Sequence, residues 1–167
     1  MEIKKIEVFS YGELSDSSKV RAKANFLEHD EYPYFSEALA SIKAFVRHFH
    51  GDILDYSIGG EVYRSYVKTT LDSSFFRGNK LKDIDKDYMP TGYCLDCALW
   101  LTMHDEWKKT GDPFYAFQQA IEAALYEIAG DVEYHYSDEY IEEMMQINEY
   151  KFTEDGESIG FGFVEAA

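Results

Sequence analysis

Apolar residues recur along this chain in two rhythms, and the changes from one to the other mark its elements. Near the start, Ile6, Val8 and Ser10 alternate with charged or aromatic neighbours, which predicts a half-buried strand. Gly12 marks a turn. Ser15 then stands as a helix N-cap, with Leu14 before it and Asp16 in the first turn, where the helix dipole favours an anion. Val20, Ala24 and Leu27 fall on one face of that helix, which the pattern ends near His29. A second helix follows from Leu39, Ile42, Val46 and Phe49, with Gly51 as its stop. Gly59-Gly60 lies between two β-rich runs and predicts a hairpin. From Asp72 to Gly92 no period holds and breakers accumulate, so the stretch reads as a long loop.

Helical spacing returns at Leu95, Leu99, Met103 and Trp107. Asp112-Pro113 supplies a cap and a first-turn proline, ahead of a stripe through Phe114, Phe117, Ile121, Leu125 and Ile128 that Gly130 is expected to end. Ser137 caps a further helix with Tyr140, Met144 and Ile147 facing inward, and the chain closes as strand, Asp155-Gly156 turn and strand. Helices and antiparallel hairpins in this order indicate the α+β class, with residues 1–167 as a single domain in which a small antiparallel sheet packs against several helices.

Composition adds size and charge to this outline. A chain of 167 residues, 46% hydrophobic, is long enough to bury roughly 68–70% of its unfolded surface. The first residues lack an apolar leader core, and no uncharged run approaches the roughly 20 residues that span a bilayer, so a complete, cytoplasmic protein is expected. Two cysteines are too few for a disulfide scaffold and are expected as thiols. The net charge of -16 is unevenly spread: residues 1–50 hold eight acids and seven bases, residues 51–111 ten and eight, and residues 112–167 fourteen and one. Such a field repels nucleic acid and anionic membranes and attracts basic surfaces.

Several motifs suggest chemistry, and each has a simpler reading. Cys94, Cys97 and His104 would share a helix face, yet Cys97 and His104 lie about 10.5 Å apart along the axis, too far for one zinc ion. Buried or half-buried thiols in a helix are the expectation, with no metal and no cofactor. His48 and His50 point to different helix faces and have no matching nucleophile, so with Arg47 they read as a positive helix C-terminus and not as catalytic residues. The glycines at 160 and 162 lack the companions of a phosphate loop and read as relief of crowding in an aromatic strand. The 14 tyrosines sit largely among carboxylates, which suits packing or a protein interface better than stacking on bases.

The stretch from Asp131 to Glu157 holds ten carboxylates and one lysine. A solvated helix face would account for it, but Asp138 with Glu142 and Glu139 with Glu143 are like-charge pairs at four-residue spacing, each costing roughly 0.2–0.5 kcal/mol. The calcium-loop pattern is absent. A sharper reading is that folded carboxylates imitate the phosphates of a nucleic acid. The contact set expected on this reading is Asp131, Glu133, Asp138, Glu139, Glu142 and Glu143.

Three segments, YGELSDSSKVRAKANF, TGYCLDCAL and NEYKFTEDGE, carry a resemblance of their own. In them the chain resembles a family of small acidic proteins encoded by bacteriophages and prophages, whose members often have an acidic residue at the position of Cys97. The resemblance implies a phage-type accessory protein of the host bacterial cytoplasm and brings no catalytic residues with it. Small acidic phage proteins are often inhibitors of host defence, including anti-restriction and anti-CRISPR proteins. The expected function is therefore non-enzymatic binding to a basic host protein or nucleoprotein complex, with no direct contact to nucleic acid or membrane. Two alternatives stand beside it: an antitoxin-like neutraliser of a small basic toxin, and a small metal-dependent or hydrolytic enzyme using His48, His104 or the cysteines.

Overall fold

In the computed structural model, which describes residues 7–29, 31–61, 64–78 and 80–159, packing gathers the chain into two compact units. Of the described residues, one unit comprises those up to Glu31 together with those from Tyr134 to Ile159, and the other those between Tyr32 and Glu133. The class is α+β, with small antiparallel sheets packed against helices.

The terminal unit is built on strand β1 (Phe9–Ser10), helix α1 (Asp16–His29), helix α6 (Asp138–Ile147) and the hairpin β4 (Lys151–Phe152) and β5 (Ser158–Ile159). The sheet order is β1-β4-β5, antiparallel throughout, with Phe9 opposite Phe152 and Phe152 opposite Ser158. Ser15 caps α1 as expected: its Oγ accepts the Ser18 amide at 3.2 Å. The inward face is not the expected one. Val20, Ala24 and Leu27 are exposed, and Ser18 and Ala22 are buried. The reason is close approach. The Ser18 hydroxyl donates to the Glu154 carbonyl at 2.7 Å, and Gly156 (φ 86°) lies so near the Ser18 carbonyl that an added Cβ would overlap it. Only small residues on α1 admit the hairpin so closely, and only glycine combines that contact with a left-handed backbone. The core here is Tyr11, Leu14, Ala22, Ile141, Met145 and Phe152. On α6 the inward residues are thus Ile141 and Met145, while Ile147 is exposed and Tyr140 and Met144 are half-buried. At the first strand, Val8 is exposed, and Ile6 lies outside the described residues, as do the glycines at 160 and 162.

The central unit has the larger core. Helix α2 (Phe35–His48) buries Ile42 and Val46, as its spacing predicts, together with Ala38 and Phe45; Phe49 follows as a buried residue, and Leu39 is half-buried. The hairpin of β2 (Asp52–Ser57) and β3 (Tyr66–Thr70) forms as expected, with Ser57 opposite Tyr66 and an irregularity between Ile53 and Asp55. The stretch expected as a long loop holds a short helix, α3 (Ser73–Gly78). Asp72 caps it by accepting the Ser74 amide at 2.8 Å, and Phe75 and Phe76 pack on the core. Two adjacent phenylalanines bury enough apolar surface to order a segment with no periodic signal. Helix α4 (Leu95–Thr110) buries Leu95, Leu99, Trp100, Met103 and Trp107 and ends at Gly111 in the left-handed conformation.

Helix α5 (Pro113–His135) corrects the expectation at Gly130 by running through it. An interior glycine costs about 1 kcal/mol relative to alanine. Burial of Ala129 and Val132, which continue the stripe of Leu125 and Ile128, outweighs that cost. No helix among the described residues is long and apolar enough to cross a membrane.

Candidate binding surface

Helix α5 starts where the sequence requires it to. Asp112 Oδ1 accepts the amides of Phe114 (2.9 Å) and Tyr115 (3.1 Å), and Pro113 needs no partner for its missing N–H. Inward, small and large residues share one face: Ala116, Phe117, Ala120, Ile121, Ala124, Leu125 and Ile128 are all buried. Outward, Glu122, Tyr126, Glu127, Asp131 and Glu133 are exposed, Tyr126 to 65%. The helix contains no Lys or Arg, and among the described residues none of its four carboxylates forms an ion pair. From Glu122 to Glu133 the helix rises about 16 Å, a length over which duplex DNA carries roughly ten charges. Four carboxylates over that rise make α5 a ridge of one sign and not a phosphate-by-phosphate copy.

Asp131 also acts on its surroundings. The Tyr32 and Tyr93 hydroxyls lie 3.4 Å apart. Burial raises the Tyr32 pKa above its ordinary value, the Tyr93 hydrogen bond opposes this in part, and the Asp131 carboxylate reinforces it. Tyr93 is pushed up as well, by burial first and then by Tyr32. Both phenols therefore keep their protons, and Asp131 keeps a neighbouring donor.

Helix α6 carries the same number of carboxylates to a different end. Ser137 Oγ accepts the Tyr140 amide at 3.2 Å, confirming the cap. With Ile141 and Met145 turned inward, Asp138 and Glu142 come to the α1 side, where Lys23 Nζ meets Glu142 at 2.8 Å and Asp138 at 3.1 Å. The Tyr11 hydroxyl donates to Glu142 at 3.4 Å. Burial works against the Lys23 charge, but the hydrogen bonds to Glu142 and Asp138 outweigh it and raise the Lys23 pKa above its ordinary value. Glu142 is correspondingly lowered, chiefly by the Lys23 hydrogen bond. The expected repulsion between Asp138 and Glu142 is thus bridged by a cation that sequence spacing does not reveal. Glu139 and Glu143 are exposed and, among the described residues, unpaired. The hairpin acids Asp155 and Glu157 are held by Arg21 at 2.9 and 2.6 Å.

The six expected contact residues fall in both units and differ in whether a base reaches them. Asp131 and Glu133 stand on α5 in the central unit, Glu139 and Glu143 are open on α6 in the terminal unit, and Asp138 and Glu142 are engaged with Lys23. Glu122, Tyr126 and Glu127, which also stand open on α5, are not among the residues expected from the sequence. The signal was present: the apolar spacing from Ile128 to Val132 carries the helix past Gly130 and gives it a solvent face of its own.

The residues singled out for chemistry are placed differently from expectation. Cys94 and Cys97 are free and exposed, not buried. The buried member of that motif is Asp96, fully excluded from solvent. Its Oδ2 accepts from the Thr91 amide (2.9 Å), the Thr91 hydroxyl (2.9 Å) and the Gly92 amide (3.0 Å), and Thr91 Oγ1 lies 2.8 Å from Ser41 Oγ on α2. Thr91, Gly92 and Asp96 thus fasten the turn into α4 to the core. His104 Nδ1 lies 3.0 Å from its neighbour Asp105. His48 is open to solvent on one side but has the rings of Phe49, Phe75, Tyr88 and Trp100 within 4.6–5.9 Å. Burial, and then His50, lowers its pKa, so His48 disfavours the charge expected of it at the helix terminus. Among the described residues no three His, Cys, Asp or Glu side chains gather as a metal site.

No protein-family model, curated protein or solved structure matches the chain.

Proposed function

We propose that this chain is a non-enzymatic binding protein whose acidic surface occupies the basic, nucleic-acid-binding surface of a bacterial defence complex, as the resemblance of its motifs to phage proteins implies. The observation that carries the reading is the outer face of α5. Glu122, Glu127, Asp131 and Glu133 are exposed, lack bases among them, and flank an exposed Tyr126. Like-signed carboxylates on a packed helix keep their spacing and lose little entropy on binding. Their field accelerates encounter with a basic partner, while tyrosine supplies short-range contact at low conformational cost. Glu139 and Glu143 on α6 add two open charges to the terminal unit.

The reading is tested by competition. Labelled duplex bound to a purified defence nucleoprotein is titrated with this protein, and fluorescence anisotropy is followed at 50 and 500 mM salt. Displacement at low salt that fades at high salt is the expected result. Displacement unaffected by salt, or by reversing all four α5 charges, overturns it.

A further inference from the structure

Two thiols stand open at the start of α4 in the central unit. Cys94 is the N-cap residue and Cys97 lies one turn on, and both are free and exposed. The turn that joins them is tight: the Asp96 amide donates to the Tyr93 carbonyl at 3.0 Å and the Cys97 amide to the Cys94 carbonyl at 3.1 Å, each three residues back. In such a turn, side chains three positions apart lie one above the other, with β-carbons about 5–6 Å apart. A relaxed disulfide holds its β-carbons about 3.8 Å apart. The difference, about 1–2 Å, is small enough to close and large enough to strain the bridge. Between the cysteines the chain is fixed from inside, because buried Asp96 accepts from Thr91 and Gly92 and ties the turn to the core. The strain of closure therefore stays in the bridge. Outside, little opposes closure: Cys97 Sγ makes only a weak contact with Met89 Sδ at 3.9 Å, and Met89 is itself exposed.

We propose that Cys94 and Cys97 form a reversible thiol–disulfide exchange site, whose oxidant is a low-molecular-weight disulfide of the glutathione class. This site is independent of the acidic surface described above. One cysteine thiolate attacks a sulfur of the small disulfide, forming a mixed disulfide and expelling one thiolate. The second cysteine thiolate attacks the cysteine sulfur of that mixed bond, closes the Cys94–Cys97 bridge and expels the other. The two cysteine protons end on the two expelled thiolates, so two protein thiols are oxidised and one small disulfide is reduced to two thiols. Strain and exposure make the bridge easy to reopen by an excess of small thiol, and the site thus follows the balance of thiol and disulfide around it.

The probe is oxidised glutathione. The reduced full chain is equilibrated with it, quenched in acid and weighed intact by mass spectrometry, then returned to an excess of reduced glutathione and weighed again. The parent is expected to lose two hydrogens, retain no glutathione, and regain both thiols in the second step. Cys94→Ser and Cys97→Ser should each keep one glutathione instead, because the second thiol that would displace it is gone. Four results overturn the inference: no reaction of the parent; two glutathiones retained on it without a bridge; a bridge that joins two chains; or an internal bridge that survives the excess of reduced glutathione, since a bridge so stable is not a strained one. The mass of the parent decides the matter even if a variant fails to fold.

Discussion

Helices α5 and α6 carry four carboxylates each, and in sequence they look alike. On α6, half of the charge serves the fold, because Lys23 from α1 draws Asp138 and Glu142 into one ion cluster with Tyr11 alongside. On α5, no cation reaches any of the four among the described residues, and the packing beneath them is apolar. Acidic composition therefore reports two different things in one chain. Where a base lies opposite, it reports stability, and where none does, it leaves a field directed at solvent.

The strongest way to break this contrast is to reverse each helix in turn. Converting Glu122, Glu127, Asp131 and Glu133 to Lys is expected to weaken displacement of nucleic acid from the defence complex about 1000-fold, at roughly 1 kcal/mol for each charge, with little change in melting temperature. Converting Glu139 and Glu143 should cost far less affinity. A larger effect from α6 would invert the assignment.

A smaller effect is expected from Asp96→Ala. Losing an acceptor of two backbone amides and a hydroxyl should cost about 2–3 kcal/mol in urea unfolding, with the affinity of the folded fraction unchanged. This separates a buried structural carboxylate from the exposed ones on α5 within the same unit. If affinity falls while stability holds, Asp96 belongs to the binding surface after all.

Lys23→Met should destabilise the protein by about 1 kcal/mol, since it leaves Asp138 and Glu142 facing each other without their cation. Adding Glu142→Gln should recover part of the loss. Additivity of the two substitutions in chemical unfolding would show that the α6 charges are as independent as those on α5.

The smallest expected signal is the pH dependence of that cluster. Glu142 has a folded pKa below its ordinary value of 4.5, so its contribution is present above that value and is lost as pH falls through the depressed pKa. Lys23 has a folded pKa above its ordinary 10.5, so its contribution is present below that value and is lost as pH rises through the elevated pKa. Stability curves of the parent and Lys23→Met should converge toward the acid end and run apart from about pH 5 to 10. Parallel curves down to pH 2 would mean that the cluster contributes nothing.

Much of the fold was legible where local chemistry acts alone. Ser15, Ser137 and Asp112 cap helices because their oxygens reach amides two or three residues ahead. Gly156 stands, as its turn predicts, where the backbone turns left-handed. The inward faces of α1 and α6 were not legible: on α1 the small Ser18 and Ala22 turn inward in place of the more apolar Val20, Ala24 and Leu27 because they admit the hairpin, and α6 offers two adjacent stripes of similar apolar content. On α6 the choice lies between Tyr140-Met144-Ile147 and Ile141-Met145. It is decided by Tyr11 and Phe152, which come from the far ends of the described chain and fit the second stripe. That choice also turns Asp138 and Glu142 toward Lys23.

The sequence by itself determined most of the elements, their caps and the sign of the surface, because these depend on residues within a turn or two of each other and on charge counting. Tertiary structure alone decided which carboxylates remain open. An ion pair such as Lys23 with Glu142 joins residues more than a hundred positions apart, and no local period encodes that meeting.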